Sequence, residues 1–354
     1  MRKVRLDKAP TGSVIARSIY NLDGVVLLSE GAVLTREHKD KLHNYGITEI
    51  YIEDPFSEGI KIPEIIREEV IIEVKSQVKK MMTSPSIKVS VDVKKVREIV
   101  EKLIANILDN EQIVASLCDV RSIDEYTFSH SVNVSVISIV TGIGLGMKED
   151  TLRDLGIGAL LHDIGKVMID DSILNKPSSL TSLEYDEVKR HTQYGYEILK
   201  NSGNISQEAC DVALSHHERL DGSGYPRKLR NNDIQTFARI VAIADVYDAL
   251  TTDKVYRRKM MPHDVLDYML SLGGRHFDKN ILDAFVRHIA YYPVGTAVIL
   301  NSGEKGLVSE YNPYFPNRPV VRVVIDEDGH ILKKFREVDL SKKLEYRVVA
   351  IWDI

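Results

Sequence analysis

Five histidines, His130, His162, His191, His216 and His217, fall within residues 130–217, each on or beside a segment with helical patterning. A neutral imidazole carries one donor and one acceptor, and burying either without a partner costs free energy. Packing several imidazoles into one helical core therefore demands a shared partner. A divalent first-row cation is the obvious one, because the imidazole lone pair is a strong ligand. The segments that bear these residues are expected to converge on one point.

Local signals place the histidines on helices. Thr181, Ser182, Leu183 and Glu184 form a capping-box signature opening a helix predicted to carry His191. Asp150 and Thr151 are placed to cap a helix ending at His162 and Asp163, with Gly165 as its stop signal. Ser206 opens another that reaches His216 and His217 and stops near Gly222, and residues 236–251 form a further apolar helix around Asp245. Residues 131–147 are uncharged but carry serines, an asparagine, a threonine and three glycines. Their composition and length predict a buried core helix rather than a membrane span.

Residues 1–55 have the pattern of a small α/β module. Asp23-Gly24 suits a hairpin turn before residues 24–28, Thr35 an N-cap, Gly46 a helix stop and residues 47–52 a strand. No ligand site is visible there, and its place ahead of long helices points to regulation. Residues 56–110 form a predicted helical linker, with apolar residues at helical spacing over 62–82 and 92–108. Those faces suit a dimer contact or packing onto the neighbouring domain. Residues 111–290 hold the histidine-bearing helices. Residues 291–354 turn β-rich, with strands predicted at 297–300, 306–310, 319–326 and 347–352.

Composition narrows the function. With 354 residues, 44% hydrophobic and 28% charged, the chain is an ordinary globular one, long enough for two or three domains. A net charge of -5 argues against a binder of DNA or RNA polymers, which needs a basic face to release counterions. Two cysteines, Cys118 and Cys210, are too few for a disulfide framework and suit a reducing, cytoplasmic setting. The basic start runs into no apolar stretch, so neither signal peptide nor membrane anchor is expected.

Two segments carry the most specific signals. In Leu160-Leu161-His162-Asp163-Ile164-Gly165-Lys166 an apolar helix delivers two ligands side by side, glycine lets the backbone turn away, and lysine supplies a cation. In His216-His217-Glu218-Arg219-Leu220-Asp221-Gly222-Ser223-Gly224-Tyr225-Pro226 two adjacent histidines precede a glycine-paired loop able to approach a ligand closely.

These segments resemble the signature motifs of the HD-GYP family, a subgroup of the HD phosphohydrolase superfamily, over about residues 110–300. Members hydrolyse the second messenger cyclic di-GMP to linear pGpG and GMP. The resemblance implies a mainly α fold: an HD-type helical bundle as catalytic domain, with a small N-terminal α/β module and a small β-rich C-terminal extension. It implies that His130, His162, Asp163 and Asp245 hold one divalent metal, and that Asp163 bridges to a second held by His191, His216 and His217. It also implies catalytic roles for Asp163 and Lys166, the latter beside the scissile phosphate. Gly222, Gly224, Tyr225 and Pro226 would shape the substrate pocket, and Lys254 and Arg257 would grip the dinucleotide. Iron or manganese is the metal the resemblance favours. Members with three metals carry a glutamate four residues before the first histidine, where this chain has Tyr126. Glu125 is adjacent but rotated by about 100° on a helix, so two ions are expected.

Five neutral imidazoles and two carboxylates set two negative charges against four positive ones from two divalent ions. Such a centre attracts a phosphodiester anion and makes water nucleophilic at neutral pH. The expected partner is a cyclic dinucleotide, and a homodimer or a signalling-protein partner is compatible with the flanking helices. Two other readings remain: a non-catalytic module that binds a cyclic dinucleotide or a partner, and a hydrolase of another cyclic dinucleotide or a nucleotide.

Overall fold

The computed structural model describes residues 1–21, 25–110, 126–252, 259–312 and 314–352. They divide into two compact units: one contains Met1–Ile65 and Ile289–Ile354, the other the helical region. The architecture is a mainly helical HD-type core flanked in sequence by small N-terminal and C-terminal β-sheets.

The first unit holds β1 (Arg2–Arg5), β2 (Val14–Ile15), β3 (Ile19–Tyr20), β4 (Val26–Leu28), α1 (Arg36–Asn44) and β5 (Glu49–Glu53). The strand order is β1-β5-β2, antiparallel, with β3 and β4 paired separately. Alternation along β5 sends Ile50 and Ile52 into a core with Val4, Ile15, Leu34 and Leu42. Thr35 caps α1 as expected, its hydroxyl accepting from the His38 N–H. The predicted Asp23-Gly24 turn lies outside the described residues. The same unit carries β6 (Ala297–Leu300), β7 (Lys305–Glu310), β8 (Val320–Ile325), β9 (Ile331–Asp339) and β10 (Val348–Ile351), antiparallel in the order β10-β6-β7-β8-β9.

The second unit holds α2 (Glu68–Met82), α3 (Val93–Leu108), α4 (Tyr126–Gly144), α5 (Glu149–Leu160), α6 (Asp171–Leu174), α7 (Ser182–Lys189) and α8 (His191–Ser202). It continues with α9 (Gln207–Ser215), α10 (Thr236–Thr251), α11 (Pro262–Ser271) and α12 (Lys279–Arg287). Helix α2 starts at Glu68 rather than near Ile62, its N-cap Arg67 in extended backbone. The apolar stripes of α2 and α3 are buried, and these helices pack on α4 and α5 within this unit. Helix α4 is the central one: Val132, Val134, Val136, Ile137, Ile139 and Val140 are all buried, which explains its all-round apolar sequence. Among the described residues, no helix is long and apolar enough to cross a membrane.

Two local expectations are corrected. Helix α5 has Lys148 at its N-cap with no side-chain cap, and Asp150 lies in the first turn, where it faces the helix dipole instead of capping. The Thr181–Glu184 capping box is present, but the helix it opens ends at Lys189, and His191 begins a new one after Arg190.

The restart at α8 follows a tertiary contact. A 3₁₀ turn, Ile164–Met168, packs on the first turn of α8 backbone to backbone. A Cβ on Gly165 would lie 1.9 Å from the His191 carbonyl oxygen and 2.4 Å from the Gly195 nitrogen. Neither atom is the end of a flexible side chain, so the backbone itself has to move. Gly165→Ala is therefore expected to destabilise the protein by roughly 1–3 kcal/mol or more, the cost of overpacking a tight interior. Denaturant unfolding of the two proteins measures it, and equal midpoints would refute the contact.

Candidate metal centre

Three helix ends and two helix interiors deliver the side chains. His130 projects from α4, and His162 and Asp163 follow the end of α5. His191 opens α8, His216 ends α9 with His217 next, and Asp245 lies within α10. The structure brings all seven together. Asp163, His191, His216 and His217 form one group, and His130, His162 and Asp245 another; within each, the ligand atoms lie within 4.8 Å of one another.

Asp163 faces both groups. Its Oδ1 lies 3.4 Å from His191 Nε2 and 3.8 Å from His216 Nε2. Its Oδ2 lies 3.3 Å from His162 Nε2, 3.8 Å from His130 Nε2 and 2.5 Å from Lys166 Nζ. Within the second group His130 Nε2 is 3.1 Å from Asp245 Oδ1, and between the groups His217 Nδ1 is 3.9 Å from Asp245 Oδ2.

The donor set fits a cation, and hydrogen-bond polarity shows why. His162, His191 and His216 place Nδ1 2.8, 2.6 and 3.0 Å from the carbonyls of Ala159, Val188 and Val212. A carbonyl only accepts, so each Nδ1 carries the proton and each Nε2 presents a lone pair. Two of those lone pairs, on His191 and His216, face each other at 3.5 Å. His162 Nε2 and Asp163 Oδ1 are buried without a hydrogen-bond partner. Acceptors pointed at acceptors in a buried site repel unless a positive charge lies between them.

Charge states agree for every member of the cluster but His130, whose two carboxylate partners favour its protonated form. Burial pushes the His191 imidazole below its ordinary pKa, His216 down to about 3 and His217 well down, so all three are neutral. Burial works against ionising Asp163, but the Lys166 ammonium together with His162 and His191 outweighs it and holds the carboxyl well below the usual range. Burial opposes ionising Asp245 too, and the His130 hydrogen bond together with the charges of His130, His217 and His162 outweighs it. Burial disfavours charge on His130, yet hydrogen bonds to Asp245 and Asp248 lift it to about 9.

Sequence reasoning missed Asp248 and Asn133. Asp248 Oδ2 accepts from His130 Nδ1 at 2.8 Å, and its Oδ1 accepts from Asn133 Nδ2 at 2.8 Å. Both oxygens are therefore engaged, and the His130 ring is fixed with Nε2 toward Asp245. The available signal was spacing: Asp245 and Asp248, like His130 and Asn133, are three residues apart on one helix and share a face.

The glycine-paired loop closes on the centre. A Cβ on Gly224 would lie 2.4 Å from the His217 carbonyl oxygen, so only glycine permits this approach. Gly222 adopts φ +77°, and Tyr225 lies with its ring 4.6 Å from the His217 ring. Beyond Pro226, buried Glu218 braces the loop, its carboxylate accepting from the Arg227 and Leu229 N–H groups at 2.7 and 2.9 Å. Lys254, Arg257 and Glu125 lie outside the described residues.

Comparison with known proteins agrees with this geometry. Residues 110–281 match the model of an HD domain, and residues 297–354 that of a KOW domain associated with HD domain. A cyclic di-GMP phosphodiesterase of Pseudomonas aeruginosa is 36% identical over 253 residues, covering 72% of this chain and 61% of its own length. A 3'3'-cGAMP-specific phosphodiesterase of Vibrio cholerae is 38% identical over 144 residues, 40% of this chain and 28% of its own. The chain thus spans less than two thirds of the length of these relatives. In fold, it is similar to an HDG"Y"P protein from Bdellovibrio bacteriovorus, with a TM-score of 0.53 at 18% identity over 80% of this chain and 97% of that one. The chain carries an HD-superfamily domain of the HD-GYP-like type, resembling those of cyclic di-GMP phosphodiesterases.

Proposed function

We propose that this chain is a metal-dependent phosphodiesterase that hydrolyses cyclic di-GMP to linear pGpG and GMP, with two divalent ions of iron or manganese. The observation that carries it is the pair of His/Asp groups meeting at Asp163, whose lone pairs only a cation satisfies. His130, His162 and Asp245 would hold one ion, His191, His216 and His217 the other, with one Asp163 oxygen toward each. Ions held there would supply Lewis acidity, making water nucleophilic at neutral pH and stabilising charge on the attacking and leaving oxygens.

The chain's own residues do the rest. Lys166 stands beside Asp163 with part of its side chain exposed, where its ammonium meets a phosphate oxygen and stabilises charge developing on it. Tyr225 walls the centre over His217, and the glycines of its loop allow the substrate close approach. Lys254 and Arg257 are the proposed grip on the rest of the dinucleotide. Such a substrate places the reaction in the cytoplasm.

Identity to the cGAMP-specific enzyme supports a second substrate for the same centre, 3'3'-cGAMP. Protein loaded with iron or manganese is expected to cleave cyclic di-GMP faster than 3'3'-cGAMP in side-by-side turnover assays, and the opposite order would select the second substrate. Asp163→Ala is expected to abolish cleavage of both. Tight binding of cyclic di-GMP without turnover in either metal form would overturn the enzyme reading.

A second expectation concerns Asp248. A carboxylate that orients a ligating imidazole is typically worth 10–100-fold in metal affinity, so Asp248→Asn should weaken retention of one ion by about that factor in chelator competition. Unchanged affinity for both ions would remove Asp248 from the centre.

A further inference from the structure

The short helix α7 carries two side chains that the metal centre does not use. Tyr185 and Lys189 are four residues apart on α7 and share a face. Lys189 Nζ lies 4.7 Å from the centroid of the Tyr185 ring and 5.9 Å from that of Tyr225. Tyr225 in turn lies against the His217 ring at 4.6 Å, with 32° between the planes. Aromatic surface and one cation therefore run without a break from a metal-group imidazole outward through Tyr225 and Lys189 to Tyr185. Tyr185 is 49% exposed, so its ring belongs to the surface rather than the core.

A dinucleotide whose phosphodiester sits at the metal groups must lodge the attached base close by, one sugar away. A purine base is a wide, flat π-surface, and aromatic side chains are the usual partners for unpaired bases. The Lys189 ammonium, paired with Asp186 Oδ1 at 2.6 Å, lies between the two rings and ties them into one surface. We propose that Tyr185, joined to Tyr225 by Lys189, is the stacking platform for a purine base of the cyclic dinucleotide. The proposal deepens the phosphodiesterase reading and rests on it.

Stacking on one side chain is worth roughly a ten- to hundred-fold change in binding. Tyr185→Leu should therefore raise KM for cyclic di-GMP by that factor, leave kcat near the wild-type value and retain the metal content. Tyr185→Phe, which keeps the ring, should restore KM. An unchanged KM in Tyr185→Leu overturns the platform. So does a loss of metal or of kcat, which would make the tyrosine a structural support, or a Tyr185→Phe as impaired as Tyr185→Leu. If wild-type protein does not turn over cyclic di-GMP, the phosphodiesterase reading fails separately. Equilibrium dialysis of cyclic di-GMP against wild type and Tyr185→Leu then decides the platform alone: weaker binding by the variant upholds it, and equal binding overturns it.

Discussion

Three imidazoles give their Nδ1 protons to carbonyls of the turn before them, and much of the helical unit follows from that. Once the proton is committed to Nδ1, the other nitrogen is an acceptor and needs a donor or a cation. His162, His191 and His216 aim those acceptors at one another and at an ionised aspartate, inside a region sealed from water. Folding such a cluster without a positive charge leaves several buried acceptors unmet, each costing about 1–3 kcal/mol. Metal affinity and folding stability are therefore linked here, since a cation that binds only the folded arrangement stabilises it.

Backbone contacts, rather than side chains, hold the parts of the cluster in place. The turn after His162-Asp163 rests on the first turn of α8 through Gly165, which brings Asp163 against His191. Gly224 does the same for the loop, which lies on the backbone of His217 and Glu218. Glu218 ties the far side of that loop through two backbone N–H groups. The signature glycines thus serve proximity: wherever two backbones must touch near the centre, the sequence has no Cβ.

How much of this could be read from sequence depends on the range of the interaction. Thr35, Thr181 and Ser206 are caps, and capping is decided within four residues, so those helix starts were legible. The break at Arg190 was not, because it coincides with a contact to a turn distant in sequence, which no local pattern marks. Helix α5 also starts without the cap that Asp150 promised, since burial of Leu152 and Leu155 against the core suffices to hold it. That the five histidines share a cation was legible from their chemistry, whereas the full set of seven, with Asp163 and Asp245, was what the resemblance to the HD-GYP motifs implied. Their supports, Asp248 and Asn133, were hidden because a lone carboxylate or amide on a helix has many fates, and only the partner's position distinguishes them.

The two groups are not equivalent. Helix α10 contributes two carboxylates to the His130 side, Asp245 within it and Asp248 behind the His130 ring. On the other side, His191 and His216 lean on neutral carbonyls, and His217 on the Tyr225 ring. A carboxylate behind an imidazole makes it a stronger ligand than a carbonyl does. The His130 side is therefore the more electron-rich, and the His191–His216–His217 side the poorer in compensating negative charge. Tyr225 and the glycine loop lie on that second side. Two cations held in this cluster would therefore differ in environment, the one on the His130 side set against the carboxylates of α10 and the other beside the loop.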